Sequence, residues 1–246
     1  MAIVDIQREG PLAVVIYDRG AKANALNDEA INALIAAADE LSADVGVQVV
    51  ILSGTQSRFS GGVDLKDDLL WRREADVVTR HNAMAQGGRM CERWRSLPQV
   101  TIAAVEGPAV GGGGILALAA DFRIMAESAF FQFPEVRLGM TLGWGGLPLL
   151  SGLVGPSKTK RLLFTGERVP GENALSLGLC DEMAPDGAAL SAAKTLAATI
   201  LECPPLALRM SKQAIDSRYR TNWASGYEAD QFLLAKIIGE TVSEAS

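Results

Sequence analysis

The chain has 246 residues, 48% hydrophobic and 21% charged, with 25 glycines and 10 prolines, a composition that excludes disordered, collagenous and coiled-coil chains. Lys and Arg number 23 against 29 Asp and Glu, for a net charge of −6, and aromatics are 6%, so neither nucleic acid nor an anionic membrane is expected as a partner. Three cysteines (Cys91, Cys180, Cys203) and a single histidine, His81, exclude a disulfide framework, a zinc ribbon and any site built on two imidazoles, and fit a reducing cytoplasm.

Residues 2–8 and 11–17 are β-rich runs flanking Glu9-Gly10, which predicts a hairpin. Asp5 and Arg8 stand where a signal peptide needs an apolar run, so no targeting segment is expected. Asn27 caps a helix with Asp28 and Glu29 in its first turn and Ile31, Leu34, Ile35, Ala38 and Leu41 as its apolar stripe. Residues 47–52 read as a buried strand, 66–96 as a polar, mostly helical stretch that contains His81, and 100–105 as a second buried strand. Glycines 111–114 then open a small-residue helix over 115–120. Strand-like runs recur at 122–125 and 129–133. Residues 138–157 carry no charge and are long enough to span a membrane, but their glycines and Pro148 make a poor helix, so a buried loop and a short helix are expected. Helical patterns follow at 158–163, 171–177, 188–201, 205–216 and 223–238. Strands alternate with helices early and helices dominate the end, which predicts an α/β fold with a helical C-terminal region.

The turn from Gly107 to Gly114 is the most unusual local feature. It lacks the Lys-Ser/Thr of a phosphate loop and the third glycine of a dinucleotide fingerprint. What remains is a glycine-rich strand-to-helix turn whose bare N–H groups sit at a positive helix end, a place to hold an oxyanion. The plainer explanation is close packing of a small-residue helix. Glu135 follows Pro134 beside buried sequence; there it is a cap, a salt-bridge partner or, if burial raises its pKa, a proton shuttle. His81 reads as a solvated helix residue.

In order along the chain, Asn24-Ala25-Leu26-Asn27, Phe59 to Lys66, Ala103 to Gly107, Gly111-Gly112-Gly113, Asp121, Phe133-Pro134-Glu135 with Leu138-Gly139, Thr165-Gly166-Glu167, Gly178-Leu179 and Pro204-Pro205 resemble the crotonase, or enoyl-CoA hydratase/isomerase, superfamily. The resemblance implies a spiral of ββα turns over 1–186 and a helical oligomerisation region, here shortened, over 187–246. It further implies a homotrimer or a dimer of trimers, an acyl-CoA thioester substrate of which coenzyme A is a part, and neither a metal nor a separate cofactor. By the same resemblance, the N–H groups of Val63 and Gly112 form the oxyanion hole and Glu135 is the catalytic acid/base. Ala23, Ser60, Gly61, Asp64, Leu65, Lys66, Ile115 and Trp144 line the substrate site. Hydratases of the family use two glutamates; Glu135 matches the second, and Ile115 stands where the first would be. A branched aliphatic group neither orients water nor donates a proton. One carboxyl beside an enolate suits a 1,3-proton shift, so isomerisation of 3-enoyl-CoA is expected first. Hydration with one glutamate, decarboxylation of a malonyl-type thioester and non-catalytic acyl-CoA binding are the alternatives.

Overall fold

A computed structural model describes residues 2–20, 22–71 and 75–219, so the helix expected at 223–238 lies outside the described residues. Strands β1 (Val4–Glu9) and β2 (Leu12–Tyr17) pair antiparallel around Gly10, whose φ of +62° fits the turn. Helix α1 (Asp28–Ala43) begins at Asn27, whose side chain accepts the Ala30 N–H. Then come β3 (Val49–Ser53), a short α2 (Asp68–Trp71), α3 (Val77–Arg95), β4 (Val100–Val105), β5 (Pro108–Val110) and α4 (Gly112–Leu118). The order continues with β6 (Phe122–Ala126), β7 (Phe130–Gln132), α5 (Gly146–Thr165), β8 (Arg168–Pro170), α6 (Gly171–Leu177), β9 (Glu182–Ala184), α7 (Ala189–Leu201) and α8 (Pro205–Tyr219).

The main sheet runs β1-β2-β3-β4-β6-β9, parallel from β2 onward, and β5, β7 and β8 form a second, three-stranded sheet. An isolated bridge joins Ser60 to Ala109 beside β5. Three inner strands are thus each followed by a short outer segment and a helix: β3, Ser60 and α3; β4, β5 and α4; β6, β7 and α5. This is the expected succession of ββα turns.

Strands β3 and β4 are buried along their whole length, as the continuous apolar runs VVILS and VTIAAV require of a parallel sheet covered on both faces. Alternation divides them: Val50, Leu52, Ala103 and Val105 pack with Leu34 and Trp94, whereas Val49, Ile51, Ile102 and Ala104 face Ala189, Ala193 and Ala197 of α7. The four-residue spacing of those alanines gives α7 a flat stripe against the sheet. At the far end α8 is held by Lys212, which is paired with Asp121, and by Arg209, whose guanidinium donates to the Val47 carbonyl.

The structure corrects one local expectation and refines another. Glycines 112–114 lie inside α4 rather than ahead of it. The stretch expected to be a buried loop and a short helix is a loop up to Gly145 and then enters α5 at Gly146, with Pro148 in the first turn, where a missing N–H costs nothing. Gly155, at φ +77° and ψ +165° and followed by Pro156, breaks that helix in two. Among the described residues, no helix is long and apolar enough to cross a membrane.

Candidate active site

Three turns meet at the N-terminus of α4, and the glycines of that turn are each required by a different neighbour. A Cβ on Gly113 would lie 2.6 Å from the Cβ of Ser60, one on Gly114 would lie 2.9 Å from the Phe133 ring, and one on Gly112 would run into the indole of Trp144. Gly111 adopts φ +50° and ψ −121°, open only to glycine, and a Cβ there would stand 2.7 Å from Glu135 Oε1. The glycine run therefore serves both readings of the sequence. It permits close packing, and it brings the helix N-terminus against other segments with its amides bare.

The second turn, Phe59 to Asp64, is sewn to the first. Ser60 N–H donates to the Pro108 carbonyl and Val110 N–H to the Ser60 carbonyl, both at 3.0 Å. The buried Ser60 hydroxyl donates to the Asn24 carbonyl and accepts from Gly62 N–H. Gly62, at φ +90°, passes so near β5 that a Cβ would lie 2.6 Å from the Val110 oxygen and 3.9 Å from the Gly112 nitrogen. Leu26 N–H donates to the Gly62 carbonyl and Leu26 O accepts from Asp64 N–H, so the Val63 amide points to the other edge of the chain. Among the described residues, neither the Val63 nor the Gly112 N–H has an acceptor. Two uncommitted donors on adjacent turns, one at a helix N-terminus, are what an oxyanion needs.

Glu135 starts a one-turn 3-10 helix, Glu135–Leu138, closed by Gly139 in the left-handed region. Its side chain is buried, with Oε1 against Gly111 and Oε2 without a hydrogen-bond partner among the described residues. Burial pushes its pKa up to about 7. Of the other buried acids, Glu106 accepts the Gly187 and Ala189 N–H groups at the start of α7. Asp64 is desolvated, yet the Lys66 amide, Arg19 and Lys22 hold it below the usual carboxylate range. Among the buried acids of the described residues, only Glu135 has an oxygen without a hydrogen-bond partner.

Ile115, one turn into α4, is buried with its Cγ1 against Gly146 (2.8 Å to a Cβ placed there), so the wall next to the oxyanion turn is aliphatic. Trp144 follows Gly143 with φ +56°, a region that costs a residue with a side chain on the order of 1–2 kcal/mol. Leu65 and Lys66 are exposed, and Gly61 packs on Ala23, whose Cβ lies 2.9 Å from a Cβ built on Gly61.

Two groups have no role assigned from the sequence. Asn24 ends a run of three left-handed residues, Lys22, Ala23 and Asn24 (φ +52°, +57° and +54°). Its buried amide holds that run by donating to the Tyr17 and Phe59 carbonyls at 2.9 Å and accepting from Arg19 N–H. The other is Gly87 of α3, where any Cβ would overlap the Trp144 indole. Asn24 heads the Asn24-Ala25-Leu26-Asn27 stretch of the resemblance, whereas no local pattern in the sequence marks Gly87.

Comparison with known proteins supplies the family. The family model for enoyl-CoA hydratase/isomerase matches residues 7–245. The short-chain-enoyl-CoA hydratase of Clostridium acetobutylicum is 34% identical over 214 residues, covering 87% of this chain and 80% of that one. The crotonyl-CoA hydratase of Syntrophomonas wolfei is 33% identical over 230 residues, covering 92% and 87%. The crystal structure of an enoyl-CoA hydratase from Bacillus anthracis superposes with a TM-score of 0.83 at 28% identity, covering 96% and 91%. With its ββα spiral, its paired free amides and its buried glutamate, the chain belongs to the enoyl-CoA hydratase/isomerase family and has the crotonase fold.

Proposed function

We propose that the protein isomerises 3-enoyl-CoA to 2-enoyl-CoA thioesters with Glu135 as its only acid/base. One observation carries the reading: among the described residues, one buried carboxyl with an unpartnered oxygen lies against Gly111, next in sequence to one of two uncommitted amides, and the nearby wall is Ile115. The thioester oxygen accepts from the Val63 and Gly112 N–H groups. The Glu135 carboxylate removes a proton from C2, and the electron pair passes into the thioester to give a dienolate. The same carboxyl then returns the proton at C4, which moves the double bond from C3–C4 to C2–C3. As negative charge gathers on the oxygen, each amide is worth ~3 kcal/mol in comparable oxyanion holes. A pKa of about 7 suits a group that must be base and then acid in one turnover.

Hydration is the second reading, favoured by the names of the relatives from Clostridium acetobutylicum and Syntrophomonas wolfei. There Glu135 would take the proton of a water attacking C3 and deliver it to C2, with no second carboxyl to orient that water. Chromatographic analysis of products from separate 3-enoyl-CoA and 2-enoyl-CoA incubations distinguishes the two. Isomerisation gives 2-enoyl-CoA from the first and little 3-hydroxyacyl-CoA from either. Hydration of 2-enoyl-CoA at ordinary enzyme rates, ~10 per second, would overturn the isomerase reading.

A further inference from the structure

We infer that Trp144 is the specificity-determining residue that limits the acyl group to a few carbons, an inference that rests on the acyl-CoA reading above. The six-membered ring of its indole is held between α3 and α4. Cε2, Cζ2 and Cδ2 occupy the space a Cβ would take on Gly87, and Cζ3, Cε3 and Cη2 the space a Cβ would take on Gly112. Gly88 completes the α3 side, 3.7 Å from Trp144 Cα by the same measure. Both helices thus carry glycine where the ring lies, and the ring closes the gap between them.

Its position relative to the chemistry gives this packing a consequence. Gly112 supplies an amide to the thioester oxygen, Glu135 lies against Gly111, and Ile115 backs onto Gly146 two residues after Trp144. An acyl chain that starts at that amide meets Ile115 and the indole within a few carbons. A longer chain passing between α3 and α4 must take the place of the ring. The backbone of Trp144 is left-handed and the residue is 8% exposed, so a large side chain is placed here in a conformation glycine would adopt without strain.

The test is binding of saturated thioesters, which are not turned over, to the full chain. Calorimetric Kd values for butyryl-CoA and decanoyl-CoA are measured on the wild type, Trp144→Gly and Trp144→Phe. A single methylene against a tight apolar wall is worth roughly 10-fold or more. The wild type is therefore expected to bind butyryl-CoA at least about 10-fold more tightly than decanoyl-CoA, and Trp144→Gly to raise relative decanoyl-CoA affinity by at least about 10-fold. Trp144→Phe, which keeps a ring of lesser reach, should shift the ratio in the same direction by less, and it carries the test if the glycine variant does not fold. A general packing role would weaken both ligands together and leave the ratio unmoved. Equal wild-type affinity for the two thioesters, or a ratio unchanged in the folded variants, overturns the inference. Failure of the wild type to bind either thioester refutes the acyl-CoA reading itself.

Discussion

Replacing Glu135 by glutamine separates what the carboxyl does for turnover from what it costs the fold. The group is buried, with one oxygen unpartnered, and its pKa rises from 4.5 to about 7. The native state therefore keeps a proton that the unfolded chain releases between pH 4.5 and 7. Stability falls as pH rises through that window and is flat above it, the full loss being about 3 kcal/mol. Most of that loss lies between pH 5 and 8. Glutamine has no such titration, so the melting temperature of E135Q minus that of the wild type should grow by roughly 5–10 °C over this range. Over the same range, turnover should fall ~10²–10⁴-fold in the variant, while wild-type kcat/KM should rise through pH 7 as the base ionises. Calorimetric melting and a 3-enoyl-CoA assay across a pH series measure both. Parallel melting curves would show that the carboxyl is not held protonated by burial, and turnover within a few-fold of wild type would remove Glu135 from the chemistry.

If the aliphatic wall at Ile115 is what withholds hydration, Ile115→Glu introduces 2-enoyl-CoA hydration in a product assay, and I115E with E135Q returns to background; a folded I115E without hydration would refute it. Asn24→Ala removes three hydrogen bonds from a buried left-handed run, so urea unfolding should show a loss of about 2–4 kcal/mol, and butyryl-CoA binding should weaken as the Phe59 to Asp64 turn loosens. An unchanged midpoint would show that the run holds itself.

What the sequence made legible, and what it did not, follows the range of the interactions. The Asn27 cap, the β3 and β4 runs and the glycine-rich entry to α4 are local, and each lies close to where the pattern puts it. Strands β5 and β8 have three residues each, too few for any period to register, so local pattern alone does not reveal the second sheet that they form with β7. Lys22 and Ala23 are poor indicators of a left-handed turn, because the conformation is imposed by Asn24 and the Ala23 contact with Gly61. Trp144 was placed in the site, yet its partner Gly87 sits on a different helix, and the need for glycine there exists only once the chain has folded. The resemblance points to Glu135 as a candidate acid/base; that its oxygen is unpartnered and its pKa raised is a property of the tertiary packing.

The central claim is that Val63, Gly112 and Glu135 form one site around a thioester. A crystal structure of the protein with butyryl-CoA tests it most directly. The thioester oxygen is expected within ~3.2 Å of both the Val63 and Gly112 nitrogens, with C2 facing the Glu135 carboxyl. A thioester carbonyl bound with full occupancy but directed away from those two amides would contradict it.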